Sequence, residues 1–186
     1  ASKHGVEVTY LDVDSEGFVS PADLEAAIKD TTILVSIMMV NNEVGTIQPI
    51  KELAAIAKSH DVLFHTDTVQ AIGNIPIDVK ELGVDFISMS AHKIYGPKGI
   101  GALYKRAGIN IPSFVHGGAQ EKKKRAGTEN TAGIVGFGKA AELAKRDLYE
   151  HAAHSDKLRR MLWEKIEAEI PNITLNGPKD FTKRHP

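Results

Sequence analysis

The stretch from Phe86 to Tyr104 constrains this chain more than any other. A strand-type run, Phe86-Ile87-Ser88-Met89-Ser90, leads into Ala91-His92-Lys93, then a Gly/Pro turn at Gly96-Pro97-Lys98-Gly99, then a second apolar run from Ile100 to Lys105. The connection from Ile94 to Gly99 is too short for a crossover helix, so the second strand is expected to return antiparallel to the first. Lys93 falls where a strand opens into a loop, facing a crevice. Its neighbours are small and aromatic rather than charged, which suits a partly desolvated amine able to form a Schiff base.

The residues upstream supply parallel neighbours for this strand. Thr32 to Val40 is a nearly continuous β-branched and apolar run, the pattern of a strand covered on both faces, and Val62 to His65 is a shorter one. Helices are predicted between them: Pro21 to Lys29 after the cap Ser20, Ile50 to His60, and Asp78 to Leu82 closed by Gly83. Asp67 follows the Val62 to His65 strand. In open α/β sheets the crevice outside the strand C-termini binds ligands, so Asp67 and Lys93 are expected to be neighbours. Asn41-Asn42-Glu43, directly after a buried strand, has on its own the composition of a turn.

Elsewhere Val6 to Tyr10 alternates as a strand does, and Gly117-Gly118 makes a flexible corner before a loop from Gln120 to Asn130. Helical composition from Asn130 to Glu150 carries a small-residue face of Gly133, Gly136 and Gly138, and a second helix is predicted from Asp156 to Glu169, stopped by Pro171. Ile173-Thr174-Leu175 has the look of another strand start. The sheet is therefore expected to be mixed and mostly parallel.

Composition narrows the functional classes. With 23 Lys+Arg against 24 Asp+Glu the formal net charge is -1, which offers no electrostatic case for nucleic acid or an anionic membrane. Lys122-Lys123-Lys124-Arg125 is a short solvated charge run. The longest apolar run, Ile33 to Val40, falls well short of the roughly 20 residues a membrane span needs. The start Ala1-Ser2-Lys3-His4-Gly5 is unlike a signal segment, so a cytoplasmic protein is expected. Cysteine is absent, which excludes disulfides and thiolate metal sites.

Four motifs in order, Val40-Asn41-Asn42-Glu43-Val44-Gly45, His65-Thr66-Asp67-Thr68-Val69-Gln70, Ser90-Ala91-His92-Lys93 and Gln120-Glu121 with Arg125-Ala126-Gly127-Thr128-Glu129-Asn130, resemble those of one family. It is the cysteine desulfurases of the NifS/IscS type, pyridoxal-phosphate (PLP) enzymes within aminotransferase class V. The resemblance implies an α/β fold, the large domain of the type I PLP-dependent transferases, over residues 1–150, with the start of the small C-terminal domain over 151–186. It also implies a role for each site residue. Lys93 would carry the cofactor, Asp67 would pair with the pyridine nitrogen, Asn42 and Gln70 would bond the ring oxygen region, and Ser90 and His92 would hold the phosphate. Thr128 would reach the phosphate of a partner subunit, which implies a homodimer. L-cysteine would be the substrate, with sulfur-acceptor proteins as possible partners.

The resemblance further implies an intact enzyme about twice as long. The catalytic cysteine, the substrate-binding arginine and a histidine that stacks on the ring would belong to missing portions, and this chain alone would not turn over cysteine. A selenocysteine lyase, a cysteine sulfinate desulfinase or a non-catalytic domain of the same fold are the alternatives. Within the motifs, Ala119 and Lys122 to Lys124 occupy a loop often richer in glycine. Other chemistries lack their spacing: His65, Asp67, His92 and His116 form no recognisable metal motif, Gly96 to Gly99 is no complete phosphate loop, and no G-x-S-x-G elbow accompanies His116-Gly117-Gly118. No metal is expected, and His65 reads as a residue packed behind the site.

Overall fold

The computed structural model describes residues 5–186; the first four residues of the expected 1–150 domain, and of the Ala1 to Gly5 start, lie outside them. Four strands form one sheet in the order β1 (Leu34–Met38), β2 (Leu63–Asp67), β3 (Phe86–Ser90) and β4 (Gly101–Lys105). The pairs β1·β2 and β2·β3 are parallel, and β3·β4 is antiparallel, as the short connection requires.

Helix α1 (Pro21–Ala27) precedes β1, and helices α2 (Ile50–Ser59) and α3 (Val79–Leu82) supply the crossovers between the parallel strands. Their ends obey local chemistry. Ser20 accepts a hydrogen bond from the Asp23 amide ahead of Pro21, Asp78 accepts from the Lys80 and Glu81 amides, and Gly83 closes α3 in the left-handed region at φ 70°. Ile50, Leu53, Ala54 and Ala57 on α2 are buried with Val35, Phe64 and Ile87 of the strands, and this cluster is the core.

Only one sheet face is packed in this way. Leu34 and Ser36 on β1 are exposed, which corrects the expectation of a strand covered on both faces: the helices whose side chains join the core lie on the Val35, Phe64 and Ile87 side. Val6 to Tyr10 is exposed and forms no strand, because its alternation finds no neighbouring strand among the described residues. Ile173 to Leu175 likewise stays irregular.

The two helices predicted after Asn130 are one, α5 (Thr131–Glu169), 39 residues long. Nothing between Glu150 and Asp156 can stop a helix, since His151-Ala152-Ala153-His154-Ser155 contains neither Pro nor Gly. Of its three small residues, Gly136 has a clear packing role: a β-carbon there would stand 2.6 Å from the Pro97 ring, so glycine lets α5 lie against the β3–β4 connection. Leu158, Met161 and Leu162 on its C-terminal half are exposed.

A polar anchor ties the entry of β3 to its neighbours. The Asp85 carboxylate, 7% exposed as a residue, accepts from the Phe64 amide at 2.8 Å and the Arg106 Nε at 2.6 Å, and the Arg106 amide donates to the Asp85 carbonyl. Replacing Asp85 by Ala leaves the buried Phe64 N–H without its partner. We expect a loss of about 1–3 kcal/mol, read as a lower urea midpoint, with Arg106→Ala costing less because that guanidinium is half exposed.

Candidate active site

The register of the sheet assembles the site. Met38 pairs with Asp67 and Asp67 with Ser88, so the parallel strands end nearly flush and discharge their following residues at one edge. The Met39 amide donates to the Asp67 carbonyl and the Thr68 amide to the Ser88 carbonyl, extending the ladders past the last paired residues. The segments after β1, β2 and β3 carry the candidate residues, in the crevice position expected of an open α/β sheet.

After β1 the chain turns tightly. Asn41 Oδ1 accepts from the Glu43 and Val44 amides, Gly45 donates to the Asn41 carbonyl, and Val40 bridges Ile47. Asn42 stands exposed at the tip, its amide donating to Glu43 Oε1 at 3.0 Å. The turn composition and the motif therefore describe the same residues.

Asp67 ends β2 half-buried, not buried as the expected pairing with a ring nitrogen implied. Its Oδ1 accepts from the Val69 amide at 2.8 Å. Gln70, half-buried in the turn that follows, lies three residues on. Thr68 anchors that turn by donating its hydroxyl to the Ser88 carbonyl.

β3 runs directly into a 3-10 turn, Ala91–Ile94, that carries His92 and Lys93 and ends at Tyr95 in the left-handed region at φ 63°. Ser90 Oγ and His92 Nδ1 lie 2.7 Å apart. Lys93 is exposed rather than partly desolvated, which corrects the expectation, since no described element covers this edge of the sheet closely enough to exclude water. It lines a cavity of about 290 Å³ with Asn74, Tyr95, Asp147 and His151, between the 3-10 turn and α5. Asp67, Ser90 and His92 are not in that lining.

Thr128 is exposed in the Gln120 to Asn130 segment. This begins with a single distorted turn, α4 (Gln120–Lys123), where Glu121, Lys122 and Lys123 all adopt positive φ, at 49°, 53° and 64°. The loop is held by Gln120 Oε1 accepting from the Gly127 amide and by Lys124 Nζ donating to Asn110 Oδ1 and the Ile111 carbonyl. Asn130 then caps α5 by accepting from the Gly133 amide.

The structure thus brings Asn42, Asp67, Gln70, Ser90, His92 and Lys93 to one edge and leaves Thr128 on a separate exposed loop. As a donor set they fit PLP: a carboxylate with one oxygen uncommitted, a hydroxyl and imidazole for an anion, and an amine nearby. Sequence reasoning read His65 as a residue packed behind the site and missed that it bridges two strands. Its Nδ1 is 2.8 Å from Ser36 Oγ and its Nε2 3.3 Å from Ser88 Oγ, and the signal was two serines interrupting apolar strands on either side of it. Among the described residues, no group of three His, Asp or Glu side chains could hold a metal, and no helix is long and apolar enough to cross a membrane.

An α/β protein with a carboxylate, an amine and a paired hydroxyl and imidazole at the C-terminal ends of neighbouring strands has the architecture of a type I PLP-dependent transferase. The chain belongs to the aminotransferase class-V family, whose profile matches residues 1–186. It is 57% identical over 184 residues to the cysteine desulfurase IscS of Clostridium botulinum (strain Hall), covering 99% of this chain and 46% of that protein. Of solved structures, a NifS-like protein superposes with TM-score 0.86 at 46% identity, over 90% of this chain and 46% of that one. SspA in complex with cysteine superposes at 0.73 with 45% identity, over 76% of this chain and 41% of its own. The chain therefore spans less than half the length of these relatives.

Burial also makes the site pH-sensitive. It holds the His65 imidazole below its ordinary value of 6.5, against the pull of Asp67, and holds His185 below the same value. The unfolded chain binds protons on both more readily than the folded one, so stability is intact above about pH 6.5 and falls as pH drops below it. Urea midpoints compared at about pH 7.5 and about pH 5.5 should show that decline, and His65→Asn should remove its share of the slope.

Proposed function

We propose that this chain is the cofactor-binding part of a PLP-dependent cysteine desulfurase, which takes sulfur from L-cysteine and leaves alanine and a protein-bound persulfide for iron-sulfur cluster assembly or other sulfur transfer. The observation that carries it is the placing of Asp67 and the Ser90 to Lys93 segment at the ends of adjacent parallel strands, with the Asn42 turn beside them. Similarity to IscS, and to SspA in complex with cysteine, supports the choice of substrate. We further propose a division at about residue 150 between a large domain and the start of a small one, and a cytoplasmic, homodimeric enzyme.

Each residue has work of its own. Lys93 offers the amine that holds the cofactor aldehyde, and it is exposed to solvent at the mouth of the cavity beside α5. Asp67 has one oxygen held by the Val69 amide, leaving the other to accept from a protonated ring nitrogen. Ser90 and His92, already 2.7 Å apart, present donors to a phosphate, and Asn42 and Gln70 add amides for the ring oxygen. PLP, when bound, supplies an electron sink for the charge that develops on the substrate.

A thiolate must accept the sulfur, because neither a hydroxyl nor an amine can take it up and be regenerated by thiols. These 186 residues contain no cysteine, so that thiolate lies outside this sequence. Thr128, following Gly127 on an exposed loop, can offer both a hydroxyl and an amide to an anion in a second copy of the chain.

Three experiments test this reading. Borohydride reduction of the holoenzyme followed by peptide mapping should give a pyridoxyl adduct on Lys93; an adduct on another lysine would overturn the assignment. Asp67→Asn should keep cofactor yet lose most activity, as the ring nitrogen is no longer held protonated. Separately, mixing exchanging subunits of Lys93→Ala with Thr128→Ala, each nearly inactive, should restore activity, whereas no recovery would mean that each site is built from one chain.

A further inference from the structure

The open face of the sheet carries a polar row that the proposed roles do not use. On β2, Leu63, His65 and Asp67 alternate onto this face, and in the registered neighbours Ser36 pairs with His65 and Ser88 with Asp67. Ser36 Oγ lies 2.8 Å from His65 Nδ1, and His65 Nε2 lies 3.3 Å from Ser88 Oγ, so one imidazole joins three adjacent strands. Apolar side chains would satisfy strand propensity here; two serines and a histidine in contact instead need a reason.

We propose that Ser36, His65 and Ser88 form a directed hydrogen-bond relay in which His65 is a positioning residue, aiming the Ser88 hydroxyl at Asp67 and so orienting that carboxylate toward the cofactor's ring nitrogen. This rests on the cofactor reading above. Both distances are within hydrogen-bonding reach, and the relay toward Asp67 requires the Nε2–H tautomer of His65. Ser36 then donates to Nδ1 and Nε2–H donates to Ser88. The Ser88 hydroxyl proton remains to be given away, and its register partner on the same face is the Asp67 carboxylate.

Neutrality matters to this arrangement. An imidazolium donates at both nitrogens, so Ser36 would have to reverse and a positive charge would stand two residues from the carboxylate that must hold a protonated ring. Burial of the imidazole favours the neutral form.

The relay is tested in the full-length holoenzyme with four variants chosen by which bond they keep. His65→Gln places an amide near the Nε2 position and retains the bond toward Ser88. His65→Asn reaches only the Nδ1 position, His65→Leu keeps neither, and Ser88→Ala removes the last link with little change of volume. The primary readout is the 15N shift of isotope-labelled cofactor at its ring nitrogen, with kcat and KM measured alongside. His65→Leu, His65→Asn and Ser88→Ala should move that shift toward the unprotonated pyridine value and lower kcat about tenfold with KM little changed, the loss expected for one positioning hydrogen bond. His65→Gln should stay near wild type.

A second readout needs no cofactor: long-range 1H–15N correlation of the apoprotein should find His65 as the neutral Nε2–H tautomer near neutral pH. The opposite tautomer, or an imidazolium, would overturn the proposal. So would a wild-type ring shift in Ser88→Ala, which keeps the test decisive if the His65 variants fold poorly. If borohydride marks Lys93 but Ser88→Ala is silent, the relay alone fails. If Lys93 is not marked, the cofactor reading itself fails.

Discussion

The parallel register of β1, β2 and β3 is the constraint on which the rest depends. Because Met38, Asp67 and Ser88 stand in one row, the turn at Asn41, the turn at Val69 and the 3-10 turn at Ala91 all begin at the same edge. A one-residue slip of β2 would send Asp67 and His65 to the packed face and Phe64 and Thr66 to the open one. Phe64 is 1% exposed and meets α2 in the core, so burying it fixes the register, and the register in turn fixes which side Asp67 faces. Hydrophobic packing on one face thus decides the position of a carboxylate on the other.

The same logic divides the sheet chemically. The packed face is apolar apart from Thr66, whose hydroxyl is buried without a partner. The open face carries Ser36, His65, Asp67 and Ser88, and three of these four are linked or registered through hydrogen bonds to the imidazole. Polar groups on one face cost little when they satisfy one another, and they confer an orientation that apolar contacts cannot.

The sequence made the strands and their caps legible because those signals are local. The alternation and apolar runs at Leu34, Leu63 and Phe86, the cap residues Ser20 and Asp78 and the terminator Gly83 act within a few residues, and the short Ile94 to Gly99 link was enough to require an antiparallel β4. The misreadings concern what depends on distant partners. Val6 to Tyr10 alternates correctly but lacks a neighbour to pair with, and α5 continues through a segment whose only fault was weak apolar periodicity. For the candidate site, the positions along the chain were legible through the motifs, whereas the exposure of Lys93 and the bridging of His65 were not. Both depend on which elements lie overhead or alongside, and periodicity carries no such information.

The loop bearing Thr128 shows how a conformational cost can be offset locally. Glu121, Lys122 and Lys123 have side chains yet occupy the left-handed region, where an L-residue loses roughly 1–2 kcal/mol relative to the right-handed one. The lysines here adopt a backbone shape that glycine would take freely. The compensation is visible on both flanks: Lys124 Nζ binds Asn110 and Ile111, the Ala126 amide donates to the Val115 carbonyl, and Gln120 binds the Gly127 amide. These bonds hold the loop from either end, so the strained residues cannot relax without releasing the segment that presents Thr128. The segment thus presents a cationic surface on a backbone fixed at both flanks, and its path depends on those flanking bonds rather than on the preference of the residues in it.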